Sequence, residues 1–162
     1  MKPAPDPNPF PETPMNVPAQ PPGYHSVTPY LAVRGAAQAI DFYARAFGAT
    51  ELMRLPMGGL IGHAEIRIGD SVVMLADEME GHAGPQTLGG TPVSLMIYTD
   101  DADATSARAV AAGATVKRPV ENQFYGDRSG VLVDPYGHVW SIATHVEDVS
   151  AEEIARRLAA MG

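Results

Sequence analysis

The feature that most constrains the fold is an internal repeat, in which one order of predicted elements occurs twice. Two predicted helices end in the same tripeptide, Gly-Ala-Thr, at 48–50 and again at 113–115, a separation of 65 residues. The first strands of the two copies align at a separation of 66 residues and the last strands at 67. Near-constant spacing is typical of a duplicated motif, so we expect two copies of one supersecondary unit.

Each copy is predicted to run strand, helix and three strands. Alternating apolar residues indicate the strands, and a 3.6-residue periodicity closed by a glycine indicates each helix. The first copy has a strand at 26–33, a helix at 36–48, a strand at 51–56 and two strands within 59–77. The second has a strand at 93–99, a helix at 101–113, a strand at 115–120 and a hairpin at 131–144.

The segments outside the repeat differ from it in composition. Residues 1–22 contain nine of the fifteen prolines, and we expect a disordered proline-rich arm at 1–23. One domain is expected at 24–146, with modules at about 24–80 and 91–146. A C-terminal helix is expected within 147–162, because Ser150 and Glu153 have the spacing of a capping box.

Composition narrows the class of protein. With 162 residues, 45% of them hydrophobic and 19% charged, the chain suits one folded domain. A formal net charge of −8 disfavours nucleic acid and anionic membranes as partners, because both would be repelled. The absence of cysteine excludes disulfides, thiolate metal sites and cysteine nucleophiles. The sequence shows no secretory signal and no apolar run that could span a bilayer, so we expect a cytoplasmic protein.

The repeat also carries a family resemblance. The paired βαβββ units, the stretch AIDFYARAFGA at 39–49 and the hairpin DPYGHVW at 134–140 resemble the vicinal oxygen chelate superfamily. That superfamily includes glyoxalase I, extradiol dioxygenases, and the fosfomycin and bleomycin resistance proteins. The resemblance covers residues 24–146. It implies an α+β fold in which two βαβββ modules form a half-open barrel around a pocket, with the helices outside.

The resemblance also implies where metal ligands would lie, because family enzymes place them on the first and last strands of each module. These positions fall at Thr28 and Met74 in the first module and at Ser94 and Ser141 in the second. Hydroxyls and a thioether do not form the set of imidazole or carboxylate donors that zinc, iron, manganese or nickel requires. We therefore predict no metal site and no other cofactor, with a divalent metal on different ligands as the alternative.

Strand alternation sorts the remaining polar side chains by face. In the segment HAEIRI, Ala64, Ile66 and Ile68 should face the helix. That places His63, Glu65 and Arg67 on the pocket side with Met74. In the second module, Arg128 and Leu132 are expected on the corresponding side. The candidate ligand-binding residues are Tyr30, Arg67, Met74, Tyr125, Asp127, Arg128 and Ser141, and the candidate catalytic pair is His63 and Glu65.

The other polar and aromatic candidates are interpreted as structural. His25, His82, His138 and His145 lie near strand ends, in loops or in a turn, and Trp140 has the opposite register to Ser141. No phosphate-binding glycine loop or nucleophile elbow is present.

Three functions remain open. The first, which we favour, is a metal-independent small-molecule binding protein for a drug-like molecule or metabolite. The second is a lyase, isomerase or dioxygenase-type enzyme that uses His63 and Glu65, with or without a metal. The third is a module whose role is association. In each case we expect a homodimer, because members of this superfamily commonly pair.

Overall fold

The computed structural model describes residues 17–162. The predicted arm at 1–23 therefore lies outside the described residues for its first sixteen positions. None of the helices in the described part of the chain is long and apolar enough to cross a membrane.

The first module follows the predicted order of one helix and four strands. Its sheet has the order β1-β4-β3-β2, in which β1 runs parallel to β4 and the other pairs are antiparallel. Its elements are β1 (Tyr30–Val33), α1 (Ala36–Phe47), β2 (Thr50–Met57), β3 (Leu60–Ile68) and β4 (Ser71–Asp77).

The second module repeats this arrangement after a connecting segment that contains the short helix α2 (Pro85–Leu88). Its sheet has the order β5-β8-β7-β6, again with one parallel pair, β5 and β8. Its elements are β5 (Ser94–Tyr98), α3 (Ala102–Ala112), β6 (Thr115–Asn122), β7 (Asp127–Val133) and β8 (Val139–His145); α4 (Ala151–Ala159) follows.

The predicted fold class is confirmed. Two separate four-stranded sheets, each open rather than closed into a barrel, are packed against helices. The first strand starts at Tyr30 rather than at residue 26. Pro29 has no N–H to add to the ladder, although its carbonyl accepts from the Met74 amide at 2.9 Å.

The duplication extends to the way in which each helix begins. Asp77, at the end of β4, accepts hydrogen bonds from the backbone amides of Gly35 and Ala36 at 2.9 and 2.8 Å. Thr144, near the end of β8, accepts from the amide of Ala102 at 2.9 Å. In both modules, a side chain of the last strand therefore satisfies an otherwise unpaired amide at the start of the helix.

The two modules share one core, which lies where α1 meets α3 and β8. Trp140 is almost fully buried, and its ring centroid lies 4.9 Å from that of Phe47 and 5.4 Å from that of Tyr43. Asp134, also buried, accepts from the Tyr43 hydroxyl at 2.7 Å and from the Trp140 indole N–H at 2.8 Å. This carboxylate therefore joins a helix of the first module to the last hairpin of the second.

Replacing Asp134 by Ala should destabilise the protein by about 3–5 kcal/mol, because it leaves several buried donors without an acceptor. Besides the two side chains, the backbone amides of Tyr136 and His138 donate to this carboxylate at 2.9 Å. Urea unfolding followed by circular dichroism measures the loss. The control Asp103→Ala removes an exposed ion pair with Arg128 and should cost less than about 1 kcal/mol. Equal losses in the two variants would contradict this role for Asp134.

Candidate functional site

The first sheet has one face against α1 and one open face. Ala64 and Ile66, on β3, are fully buried against the helix. Residues paired across adjacent strands share a face. Tyr30 pairs with Met74, which pairs with Glu65, which pairs with Met53. We call the surface that carries these residues and His63 the first open face.

A chain of hydrogen bonds crosses the first open face. The hydroxyl of Tyr30 lies 2.8 Å from Nδ1 of His63, and Nε2 of His63 lies 3.1 Å from Oε1 of Glu65. The hydroxyl of Tyr24 donates to the other oxygen of Glu65. The structure therefore brings together the predicted pair His63 and Glu65 and the predicted residue Tyr30, and adds Tyr24.

These contacts make Glu65 a buried anion. The hydrogen bond from Tyr24, and then the one from His63, lower the pKa of the Glu65 carboxyl against the opposing effect of burial. The same hydrogen bond raises the pKa of the Tyr24 hydroxyl, because the carboxylate favours its protonated form. Glu65 is 6% exposed, so a negative charge is fixed just beneath the first open face at neutral pH.

The hydrogen-bond pattern also assigns the proton of His63. Ionised Glu65 only accepts hydrogen bonds, so Nε2 of His63 must donate to it, and Nδ1 of a neutral ring then accepts from the Tyr30 hydroxyl. Both ring nitrogens are thereby occupied. His63 can act as a base only when a ligand displaces Tyr30, whereas the network as it stands can orient a ligand without rearrangement.

Apolar side chains surround this network. Met53 and Leu55 on β2 lie opposite Glu65 and His63, and Met57 lies opposite Leu60. Met53, Leu55 and Met57 are 37%, 52% and 53% exposed. Exposed methionines adapt their shape to different apolar partners. The first open face therefore combines a buried charge with a deformable apolar rim.

The N-terminal segment before β1 covers part of the same face. Arg67, which shares a face with Glu65, donates to the carbonyl of Gly23 at 3.5 Å, next to the Tyr24 contact. Sequence reasoning missed Tyr24, because it stands at the end of a proline-rich stretch, outside any strand pattern. Its ring could have been noted as the first aromatic residue of the repeat region.

The face of the second sheet that carries Met96, Ser141 and Val131, which we call the second open face, has a different cluster. Ser141 pairs with Met96 on one side and with Val131 on the other. Tyr98 lies two positions after Met96 on β5, and its hydroxyl donates to buried Asp127 at 3.0 Å. Asp127 also lies 2.8 Å from Nδ1 of His145. Of the predicted residues, Asp127 and Ser141 are on this face. Sequence reasoning missed Tyr98, and it interpreted His145 as a strand-end residue.

His145 is held between two carboxylates. Its Nε2 lies 2.8 Å from Asp148 and its Nδ1 lies 2.8 Å from Asp127. The hydrogen bonds to Asp148 and then to Asp127 raise the pKa of the imidazole. Tyr125 lies beside this group, with its hydroxyl 3.5 Å from that of buried Ser129.

The expected position of Arg128 and Leu132 is wrong. Leu132 pairs with Trp140, and both are buried on the helix side of the second sheet. Arg128 has the same register, and its guanidinium binds Asp103 of α3 at 2.5 and 2.7 Å. Alternation along β7 places Asp127 and Ser129, not Arg128, on the second open face.

The positions at which the resemblance implies metal ligands have unsuitable donors. Thr28 precedes β1 and donates to the carbonyl of His25 at 3.3 Å, and Ser94 is the first residue of β5. Met74 and Ser141 lie on the two open faces. Within residues 17–162, no group of three or more His, Cys, Asp or Glu side chains is arranged to hold a metal ion. The hydroxyl and thioether donors at these four positions are therefore not the imidazole or carboxylate ligands that such a metal would require.

The predicted site residues thus form two groups rather than one. Tyr30, His63 and Glu65 lie on the first open face, and Asp127 and Ser141 lie on the second. Across the part of the chain that the structure describes, no hydrogen bond or ion pair joins these two groups.

The remaining histidines have separate environments. Nε2 of His138 donates to the carbonyl of Ala32 at 2.9 Å and so connects the modules. His82 packs edge-on against Tyr30, with ring centroids 5.2 Å apart. Its Nε2 is buried and has no hydrogen-bond partner among the described residues.

Because the pKa of His145 is raised on folding, its charged form stabilises the folded state. This stabilisation is fully present below the unfolded pKa, near 6.5, and is lost as the pH rises through the higher folded value. We expect His145→Gln to lower the urea midpoint more at pH 5.5 than at pH 9. The control His25→Gln, at an exposed position, should show no such difference. If His145→Gln lowers the urea midpoint equally at both pH values, charged His145 does not stabilise the folded state in this way.

Comparison with known proteins places this geometry in context. The family model described as Glyoxalase/Bleomycin resistance protein/Dioxygenase superfamily matches residues 23–142. An uncharacterized protein of Mycobacterium bovis is 43% identical over an alignment of 143 residues, which covers 85% of this chain and 94% of that protein.

Solved structures show the same architecture. TioX from Micromonospora sp. ML1 is 29% identical, with a TM-score of 0.59 over 74% of this chain and 97% of that one. A gene product from Arabidopsis thaliana is 27% identical, with a TM-score of 0.62 over 74% of this chain and 98% of that one.

Proposed function

Because the chain belongs to the Glyoxalase/Bleomycin resistance protein/Dioxygenase superfamily, we propose that it is a metal-independent protein that binds a small drug-like molecule or metabolite. The observation that carries this proposal is the hydrogen-bonded chain from Tyr30 through His63 and Glu65 to Tyr24. It is a set of oriented polar groups beside an exposed apolar rim. Such a combination is typical of ligand sites.

The charge of the first open face selects the chemistry of its ligand. Glu65 is ionised beneath the surface, and the protein carries a formal net charge of −8. Both favour a cationic or neutral ligand over an anionic one. Met53, Leu55 and Met57 offer soft apolar contacts that suit an aromatic body. We therefore assign cationic aromatic molecules as the preferred class.

Donor chemistry supports the proposed independence from metal. Thr28, Met74, Ser94 and Ser141 supply two kinds of weak donor where a catalytic metal would need imidazole or carboxylate. We propose that ligand recognition in this protein uses hydrogen bonds and apolar contact in place of a metal, and that it takes place in the cytoplasm.

A second copy of the chain would complete the site. Apolar side chains are exposed on both open faces, including Leu55 and Met57 on the first and Met96 and Tyr98 on the second. Exposed apolar surface of this kind marks an interaction site. We propose a homodimer in which the open faces of two copies cover one another and enclose the ligand.

An enzymatic function is the second candidate, and the 3.1 Å contact between His63 and Glu65 favours it. A ligand that replaces the Tyr30 hydroxyl would free Nδ1 of His63 to accept a proton, with Glu65 stabilising the resulting imidazolium. The reaction class that fits such a base is an isomerisation or elimination at an acidic C–H.

Binding by the first open face can be tested with metal-free protein and a panel of cationic, neutral and anionic aromatic molecules, measured by calorimetry. Glu65→Gln should weaken a cationic ligand about tenfold or more, because the buried negative charge is lost while the shape is kept. Glu51→Gln is the matched control, since Glu51 pairs with Arg54 on the surface. The affinity of the Glu51→Gln variant for the cationic ligand should equal that of the wild type.

Two results would contradict the binding proposal. One is a failure of the whole panel to bind. The other is elemental analysis that finds close to one tightly held metal per chain after dialysis, which would contradict metal independence. Turnover of a bound molecule that disappears in His63→Gln would assign the enzymatic function instead.

Dimer formation is tested by light scattering across a dilution series. Leu55→Glu places a charge on the first open face and should shift the wild-type dimer to monomer, because burying an unpaired charge is costly. Leu88→Glu makes the same change at a more exposed position on α2, outside both open faces, and should leave the dimer intact. A wild-type protein that is monomeric at every concentration would refute the proposal.

A further inference from the structure

A cleft of about 700 Å³ lies between the two modules, away from the hydrogen-bonded chain on the first open face. One side is β5, which is the edge strand of its sheet and pairs only with β8. The opposite side is the β3–β4 turn, Gly69 to Ser71, with the segment before β1. The apolar wall of the cleft is formed by Phe47, Ile68, Val73, Leu95, Ile97 and Trp140. The volume is within the range of small-molecule sites.

One wall of the cleft is polar and already organised. The hydroxyls of Thr99 and Thr105 lie 3.1 Å apart, and Nη2 of Arg108 donates to the Thr105 hydroxyl at 3.0 Å. All three residues line the cleft. A guanidinium carries five N–H donors, so this single bond leaves Arg108 with donors to spare.

Arg108 also differs from most other arginines of the protein in its pairing. Arg34, Arg54, Arg128, Arg156 and Arg157 each bind a carboxylate. Among residues 17–162, no carboxylate lies within ion-pairing distance of Arg108. Its position beside an apolar wall therefore provides a cation that an incoming carboxylate could engage with two parallel hydrogen bonds.

We propose that this intermodule cleft is a second binding site, specific for small aromatic monocarboxylates. The ring would lie against the apolar wall of Phe47 and Ile97, and the carboxylate would bind Arg108 beside the Thr105 hydroxyl. A single guanidinium and two hydroxyls match one planar carboxylate. A dianion such as phosphate would lack a second cation in a protein of formal net charge −8.

Asp70 makes the proposal sharply testable, because it lines the opposite side of the cleft at the β3–β4 turn. Its carboxylate accepts a hydrogen bond from the Ser71 hydroxyl and forms no ion pair among the described residues. A bound carboxylate would be repelled by this charge. Removing the charge of Arg108 should therefore weaken carboxylate binding, whereas removing the charge of Asp70 should strengthen it. Residues outside the site would not give this pair of opposite effects.

The test compares naphthoate with its uncharged amide, naphthamide, by calorimetry on the full-length protein. Arg108→Gln should weaken naphthoate about tenfold or more and leave naphthamide within about twofold. Asp70→Asn should strengthen naphthoate by about twofold to fivefold, because a repulsive charge is removed. Binding should also change the fluorescence of Trp140, the single tryptophan, which borders the cleft.

Matched variants separate this site from the rest of the protein. Arg45→Gln removes the same charge from α1, outside the cleft, and should not alter the affinity for naphthoate. Glu65→Gln changes the first open face and should also have no effect, so the two proposals fail independently. The cleft proposal is overturned if naphthoate binds no better than naphthamide, or if Arg45→Gln weakens it as much as Arg108→Gln. It is equally overturned if Asp70→Asn weakens binding.

Discussion

The arrangement of the whole molecule depends on the buried carboxylate of Asp134. Each module alone has one helix on one face of a four-stranded sheet, which leaves apolar surface on the helix side uncovered. Asp134 accepts from Tyr43 of α1, from Trp140 of β8 and from two amides of its own turn. Because a buried carboxylate requires nearly all its lone pairs to be satisfied, these partners must meet in one geometry. That geometry fixes how α1 and β8 come together, and the shared core forms around it.

Duplication supplies the scaffold, while the open faces have diverged. Asp77 and Thr144 occupy corresponding positions and cap corresponding helices, one as a carboxylate and the other as a hydroxyl. The open faces do not correspond in this way. Glu65 pairs with Met74 in the first sheet, whereas the neighbour of Ser141 in the second is Val131. The same backbone positions thus carry a buried anion in one module and uncharged side chains in the other, so the two faces cannot bind a ligand equivalently.

Sequence patterns were sufficient for the order of the elements and for the faces of residues 63–68 in β3, because Ala64, Ile66 and Ile68 alternate regularly there and Gly69-Asp70 makes a tight two-residue turn. They failed for Arg128, because five residues, 134–138, join β7 to β8. The faces of β7 were predicted by analogy with the first hairpin, whose turn has two residues. Because the two turns differ in length by an odd number of residues, the side chains of β7 point to the opposite faces from those predicted. Tyr24 was missed for another reason, because it contacts Glu65 from outside any helix or strand. The two residues are 41 positions apart in the sequence, and only the tertiary structure brings them together.

Charge placement distinguishes the two proposed ligand sites of this acidic protein. The field of a formal charge of −8 acts on every approaching molecule and is screened over about 8–10 Å at physiological salt. Within a site, the nearest charge dominates, because Coulomb energies grow as the distance and the effective dielectric fall. Glu65 reinforces the overall field at the first open face, whereas Arg108 opposes it in the intermodule cleft. Binding at the proposed cleft site would therefore depend on close contact, and an anion that cannot also bury an apolar ring against Phe47 would bind weakly there.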